Sequence, residues 1–313
     1  MNTLAARALV GCLIAALLLA VPRAAAAQTP PQAKAPAALD AAVRAEIASF
    51  PGKVWAYAKN LETGATYSLR GDERVRTAST IKLPILIATY AAVADGRARW
   101  ADPLVLTKEK KVAGSGVLTE FADGTTLTLR DAANLMIVVS DNSATNLVLD
   151  VVSADAVNAT MDALGFRKTR AVRKIGGGSP SKVNDDPVWR LYGLGISTCR
   201  EMVTMLERLE RGEIVSADAS KEIVETLKRE QYGDGIGRTL YDVHVASKSG
   251  ALDRLRSDIG IVYTRRGRIA MAITVDDMPE VHYAADNPGL LLISRLSLLL
   301  LDGLATPENA ASQ

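Results

Sequence analysis

Histidine and cysteine are both nearly missing from this 313-residue chain: His244 and His282 are its only imidazoles, Cys12 and Cys199 its only thiols. A zinc hydrolase draws three or four ligands largely from those side chains, so the scarcity argues against a metal centre, and no metal or cofactor is expected. An excess of either charge is missing too. Thirty-seven Lys and Arg stand against 35 Asp and Glu, which argues against a nucleic-acid partner. Residues 290–301 are almost wholly apolar but carry Arg295, and the run falls well short of the roughly 20 residues a spanning helix needs. What remains for chemistry is hydroxyls, amines, carboxylates and backbone amides. At 48% hydrophobic and 23% charged, the chain is long enough to bury one large core or two lobes.

The N-terminus has the layout of a secretory signal peptide. Arg7 supplies a short positive region, residues 8–21 are apolar, and Ala24, Ala25, Ala26 and Ala27 offer small-residue cleavage sites. The apolar run is too short for a membrane anchor. Export to the periplasm or medium, with cleavage after residue 27 and no membrane insertion afterwards, is the expectation. Cleavage removes Arg7, Arg23 and Cys12 and leaves Cys199 without a partner, so the mature chain has no internal disulfide. Residues 28–38, rich in Pro and Ala, read as a flexible leader.

From residue 39 to 306 the patterning is that of one folded domain, followed by a tail at 307–313. Leu39, Val43, Ile47 and Phe50 have helical spacing. Residues 53–59 and 65–69 read as strands joined by a turn ending in Gly64, and strands recur at 244–247, 258–263 and 268–275, with Arg265, Arg266 and Gly267 as a hairpin turn. Between them the period is helical. Thr128 with Asp131 reads as a capping box, Ser153 and either Thr198 or Ser197 as further helix starts, and Gly165 and Gly212 as stops. The Gly-rich run 175–180 lacks the strand-to-helix context of a phosphate loop and reads as a flexible loop. The pattern implies an α+β fold. One antiparallel sheet is built from distant segments (about 39–73 and 240–306) and flanked by terminal helices, with an all-helical lobe (about 74–239) inserted.

With histidine scarce, a nucleophilic serine needs another base, and lysine is the usual substitute. Ser79 and Lys82 stand three residues apart, and if Ser79 opens the helix through Ile85 and Tyr90 both lie on one face. Ser179 and Lys182 repeat the spacing, so the pattern alone is weak. Ser140, Asp141 and Asn142 fall at a break between two helices, where they could expose a hydroxyl and an amide or simply cap a helix. Lys248, Ser249 and Gly250 lie on a strand, as a carboxylate-attracting lysine with a close-approach glycine or as an ordinary edge-strand lysine.

Taken together, Ser-x-x-Lys at 79–82, Ser-Asp-Asn at 140–142 and Lys-Ser-Gly at 248–250 resemble the motif set of class A β-lactamases and penicillin-binding proteins. The likeness extends to Leu61-Glu62-Thr63-Gly64, to the residues flanking Ser79, to Gly114-Ser115-Gly116-Val117-Leu118 and to Ser143 through Leu147, and covers residues 40–305. Only Ser249, where Thr is more usual, loosens the motifs. The resemblance implies that Ser79 is the acylated nucleophile, Lys82 its base or relay, and Ser140 the proton donor to the leaving nitrogen. It further implies that Asn142 holds the substrate amide, that Lys248 with Ser249 receives its carboxylate while Gly250 lets the substrate approach the strand, and that the backbone N–H groups of Ser79 and Ala251 form the oxyanion hole. Arg254 could add a carboxylate contact.

One part of that machinery is missing. Class A enzymes use a glutamate in the loop after the second motif to activate the deacylating water. Matching residues 169–173 to the start of that loop puts Ile175 at the glutamate position, and no glutamate occurs between Glu120 and Glu201. Asp185 and Asp186 are the nearby carboxylates, candidates for the base or for a loop ion pair with an arginine such as Arg173. The implied function is therefore a monomeric hydrolase that opens β-lactams through an acyl-Ser79 and deacylates slowly. The alternatives are a D-Ala-D-Ala peptidase- or esterase-like hydrolase acting on peptidoglycan-like amides and inhibited by β-lactams, and a non-turning-over binding or sensing module.

Overall fold

The computed structural model describes residues 37–305; the expected signal segment, most of the expected leader and the tail lie outside the described residues. Helix α1 (Ala37–Ile47) starts two residues inside the expected leader. Strands β1 (Lys53–Asn60) and β2 (Thr66–Leu69) form the N-terminal hairpin, and β3 (His244–Leu252), β4 (Leu255–Thr264) and β5 (Gly267–Asp276) a C-terminal meander. The sheet runs β2-β1-β5-β4-β3 and is antiparallel throughout, so the two distant segments meet where Lys53 pairs with Asp276 and Asn60 with Ile269. Strand β3 is left at a free edge.

Side chains alternate between the two faces of a strand, and here both faces are buried. Val54, Ala56 and Ala58 of β1 and Ile269, Met271, Ile273 and Val275 of β5 pack under α1 and the C-terminal helix α8 (Pro288–Leu304). Tyr57, Ala270 and Ala272 point the other way, into a core shared with the helical segment. That segment contains α2 (Lys82–Ala94), α3 (Leu129–Val138), α4 (Asn142–Val152), α5 (Ala154–Ala163), α6 (Cys199–Glu210) and α7 (Ala217–Leu227). It is not all-helical as expected: residues 75–76 and 170–171 pair with 195–197, and residues 103–105 with 126–128, because these short connecting segments satisfy their backbone hydrogen bonds on each other. The two expected lobes therefore share one core: Ile261 of β4 belongs to the same buried cluster as Leu86, Met136, Leu147 and Leu206. Among the described residues no helix is long and apolar enough to cross a membrane.

Three local readings change. Ser79 does not open α2; it sits on a 3₁₀ turn (Ala78–Ile81) that leads into it. Strand β4 begins at Leu255, which puts Asp258 inside a strand rather than at its start. Only Arg265 and Arg266 separate β4 from β5, and Gly267, with φ +114°, already belongs to β5. The helix starts at Thr128, Ser153 and Thr198 are as expected, each side chain capping its helix. Thr128 forms the complete capping box, its hydroxyl taking the Asp131 N–H while the Asp131 carboxylate takes the Thr128 N–H. Replacing Thr128 by Ala should therefore cost about 1 kcal/mol, read from urea unfolding midpoints; an unchanged midpoint would show that α3 does not depend on this cap.

Candidate active site

The 3₁₀ turn presents Ser79 partly exposed, while Lys82 one turn on is completely buried. Ala78, just before the serine, has φ +48°, a conformation that non-glycine residues adopt at a cost of about 1–3 kcal/mol and that clusters at functional sites. The Lys82 Nζ donates to the Ser140 carbonyl at 2.6 Å, to Ser140 Oγ at 3.1 Å and to Asn142 Oδ1 at 3.1 Å. Burial, and then the positive charge of Lys248, hold its ammonium well below the usual lysine range, against the opposing pull of Asp141 and Glu230. The site thus favours the neutral amine that a base needs.

The second motif owes its shape to Asp141. One oxygen caps α4 by accepting the Ala144 N–H at 2.8 Å. The other accepts the N–H groups of Val117 at 2.6 Å and Leu118 at 2.8 Å, stapling residues 113–118 to the helix. Gly116 passes so close that a Cβ there would lie 2.2 Å from Asp141 Oδ2. Asn142 completes the staple by donating from Nδ2 to Ala113 O at 2.9 Å. Capping and site-building are thus divided: Asp141 caps, while Ser140, held at φ +50°, and Asn142 reach Lys82.

On β3 the third motif passes directly over the serine turn. A Cβ on Gly250 would meet Thr77 O at 2.8 Å and the Ser79 N at 2.9 Å, so glycine is required for the strand and the turn to approach. Lys248, on the edge strand, is nevertheless fully buried, because Glu230 covers that edge. The Glu230 carboxylate pairs with the Lys248 ammonium and accepts the Ser249 N–H at 2.9 Å, the Ser249 hydroxyl at 2.8 Å and the Ser247 hydroxyl at 3.2 Å. A cavity of about 350 Å³ opens over these elements, lined by Ser79, Ser115, Ser140, Ser249, Gly250 and Ala251, with Tyr232, Asp234, Arg256 and Tyr283 among the other walls.

The model of the β-lactamase enzyme family matches residues 38–304. The chain belongs to that family. It is 26% identical to β-lactamase AER-1 of Aeromonas hydrophila over 216 residues, 67% of this chain and 68% of the relative. Its fold superposes on a β-lactamase from Sphaerobacter thermophilus with TM-score 0.73 and 32% identity, covering 85% and 96% of the two chains. It also superposes on a mutant of PBP-A, solved as an acyl-enzyme complex with penicillin G, with TM-score 0.74 and 25% identity over 88% and 98%.

Within this β-lactamase-family fold, Ser79, Ser140, Ser249, Gly250 and Ala251 line one cavity, with Lys82, Asn142 and Lys248 directly behind it. Other candidates fall elsewhere. Ser179 and Lys182 are exposed, and the Ser181 hydroxyl between them closes the glycine loop onto Ala171 O and Val172 O. Asp185 and Asp186 are exposed and do not line the cavity; Asp186 caps a short turn through Val188 N, and among the described residues neither forms an ion pair with Arg173. Arg254 is exposed and donates to Met278 O, whereas Arg256, two residues on, reaches the cavity while stacked over Tyr283 at 4.8 Å. His244 is exposed, His282 pairs with Asp286, and Cys199 is buried with its thiol pushed up to about 12 by desolvation, which makes it inert.

Two buried carboxyl groups behind the third motif, Glu230 on Lys248 and Asp258 opposite Ser249, lie outside every motif. Glu230 follows α7 with nothing around it to mark its role, and Asp258 is signalled only by its position among apolar residues of a long strand. A lysine-selective carbon-13 NMR titration should show the Lys82 side chain titrating well below the bulk lysines; co-titration with them would mean that the amine is hydrated.

Proposed function

We propose that this chain is an exported serine hydrolase of β-lactam amides that is acylated at Ser79 and releases the acyl group slowly. The observation that carries the reading is the Lys82 amine, buried, bonded to Ser140 and one tight turn from Ser79. The Ser79 Oγ attacks the lactam carbonyl carbon as its proton passes to Lys82, and the N–H groups of Ser79 and Ala251 hold the developing oxyanion. The C–N bond then breaks while Ser140 gives its proton to the nitrogen and regains one from Lys82. Asn142 orients the substrate amide. Ser249 meets the substrate carboxylate from the cavity wall, Gly250 lets it approach, and Lys248 acts from behind, its charge offset by Glu230.

Slow deacylation follows from the carboxylates. Ile175 stands where the resemblance puts the water-activating glutamate, and Asn146 clamps its backbone by two 3.0 Å hydrogen bonds, so the segment is fixed with an apolar side chain. Among the described residues the one carboxylate lining the cavity is Asp234, half exposed and only loosely paired with Arg238 at 3.9 Å. A second reading, a penicillin-binding hydrolase of D-Ala-D-Ala-type amides inhibited by β-lactams, is favoured by the likeness to PBP-A. Export rests on the N-terminal pattern of residues 1–27.

Intact-mass spectrometry with a chromogenic cephalosporin tests the reading. We expect a stoichiometric adduct on Ser79 followed by slow sustained colour, both abolished by Ser79→Ala. An adduct without turnover would favour the penicillin-binding or sensing reading, and no adduct would refute acylation by β-lactams. Gly250→Ala should slow adduct formation about 10²-fold, the scale of losing an oxyanion donor; an unchanged rate would separate the strand–turn contact from the chemistry.

A further inference from the structure

Residues 230–236 wrap round the free edge of β3, and both ends of the segment are fixed by buried carboxyls. Glu230 holds the near end to Lys248 and Ser249. At the far end the Ile236 N–H donates to Asp258 Oδ2 at 2.8 Å, and Gly235 packs so closely that a Cβ there would lie 2.3 Å from the same oxygen. Asp258 is the cross-strand partner of Ser249, and its Oδ1 is buried without a hydrogen-bond partner. Tyr232, Asp234 and Gly235, between the two anchors, form one wall of the Ser79 cavity.

We propose that Asp258 is a proton-dependent positioning residue: its neutral carboxyl pins the 230–236 wall over the third motif, and its ionisation releases that wall. The charges around it support this. Glu230 and Lys248 neutralise each other on the β3 side, the β5 partner Ile273 is apolar, and Arg256 on the same strand is bonded to the carbonyls of Leu252, Leu255 and His282. Asp234 faces the cavity. Among the described residues no cation is therefore left to pair with an Asp258 carboxylate, and an unpaired buried charge is costly. Burial first, and then the Glu230 charge, push the carboxyl up to about 8 and outweigh the Ile236 N–H, the Lys248 charge and the Ile259 N–H, which favour the anion, so the proton is held at neutral pH. Ionisation would put a second anion beside Glu230 and favour opening the segment to water. Because the folded-state value lies above the unfolded one, stability falls as pH rises from about 4 to about 8, and the wall is the part that gives way.

The inference rests on the proposed acylation only for its kinetic readout, so two measurements are paired. In the wild type the second-order rate of Ser79 acylation by a cephalosporin should fall about tenfold from pH 7 to pH 9, the loss of one proton near 8, with the loss in the concentration for half-saturation rather than in the maximal rate. Asp258→Asn, which keeps the acceptor for Ile236, should remove that fall. The same fall in the variant, or none in the wild type, would overturn the proposal. Hydrogen–deuterium exchange on the wild type needs neither substrate nor variant. After correction for intrinsic rates, protection of residues 230–236 should drop about tenfold more than that of β4 and β5 between pH 7 and 9. Equal drops would overturn it even if no β-lactam reacts, and a selective drop would support it even if Asp258→Asn fails to fold.

Discussion

A lysine side chain with no access to water, inserted between a serine turn and the break between two helices, is the constraint around which this molecule is arranged. Burying an amine is unfavourable unless its hydrogen bonds are met or its proton is lost, and Lys82 does both in part, through the Ser140 carbonyl, the Ser140 hydroxyl and Asn142. The geometry costs the backbone left-handed conformations at Ala78 and Ser140. The staple made by Asp141 and the close passage of Gly250 keep the three motifs from relaxing apart.

Much of this was legible in the sequence because its signals are local. Alternation along β1 and β5, the Thr128–Asp131 capping box and the Ser153 and Thr198 caps depend on neighbours a few residues away. The Ser-x-x-Lys pattern was ambiguous between residues 79 and 179 until the other two motifs were added, and the structure separates them by burial: Lys82 is enclosed, Lys182 is solvated. What escaped was set by distant contacts. Nothing near Glu230 announces that it will cover an edge strand. Asp258 looked like a strand boundary because aspartate is a poor strand former. Arg254 and Arg256 are indistinguishable by type; Arg254 falls in the turn before β4 and donates to Met278 O, whereas Arg256 lies within the strand and reaches the cavity. The aspartates at 185 and 186 follow a loop that Ser181 closes, and it carries them away from the serine.

The electrostatics of the third motif are those of a nearly neutral cluster. Two lysines, Lys82 and Lys248, share a small buried volume with Glu230, Asp141 and Asp258, and the protons of Lys82 and Asp258 depend on these neighbours. The positive potential expected of a carboxylate-binding lysine is thereby muted. In the proposed reaction, recognition of the substrate carboxylate then leans on oriented hydroxyls and backbone N–H groups, which act at short range and are little affected by salt.

The free edge of β3 has one more consequence. An open strand edge is a template on which a second chain can add itself, and proteins guard such edges with charge or cover. The Glu230 carboxylate occupies the Ser249 N–H, the middle of that edge. In the proposed reaction the strand must stay accessible to a small ligand near Ala251, and one glutamate leaves that end open while denying the Ser249 N–H to an extended chain that would pair along the edge.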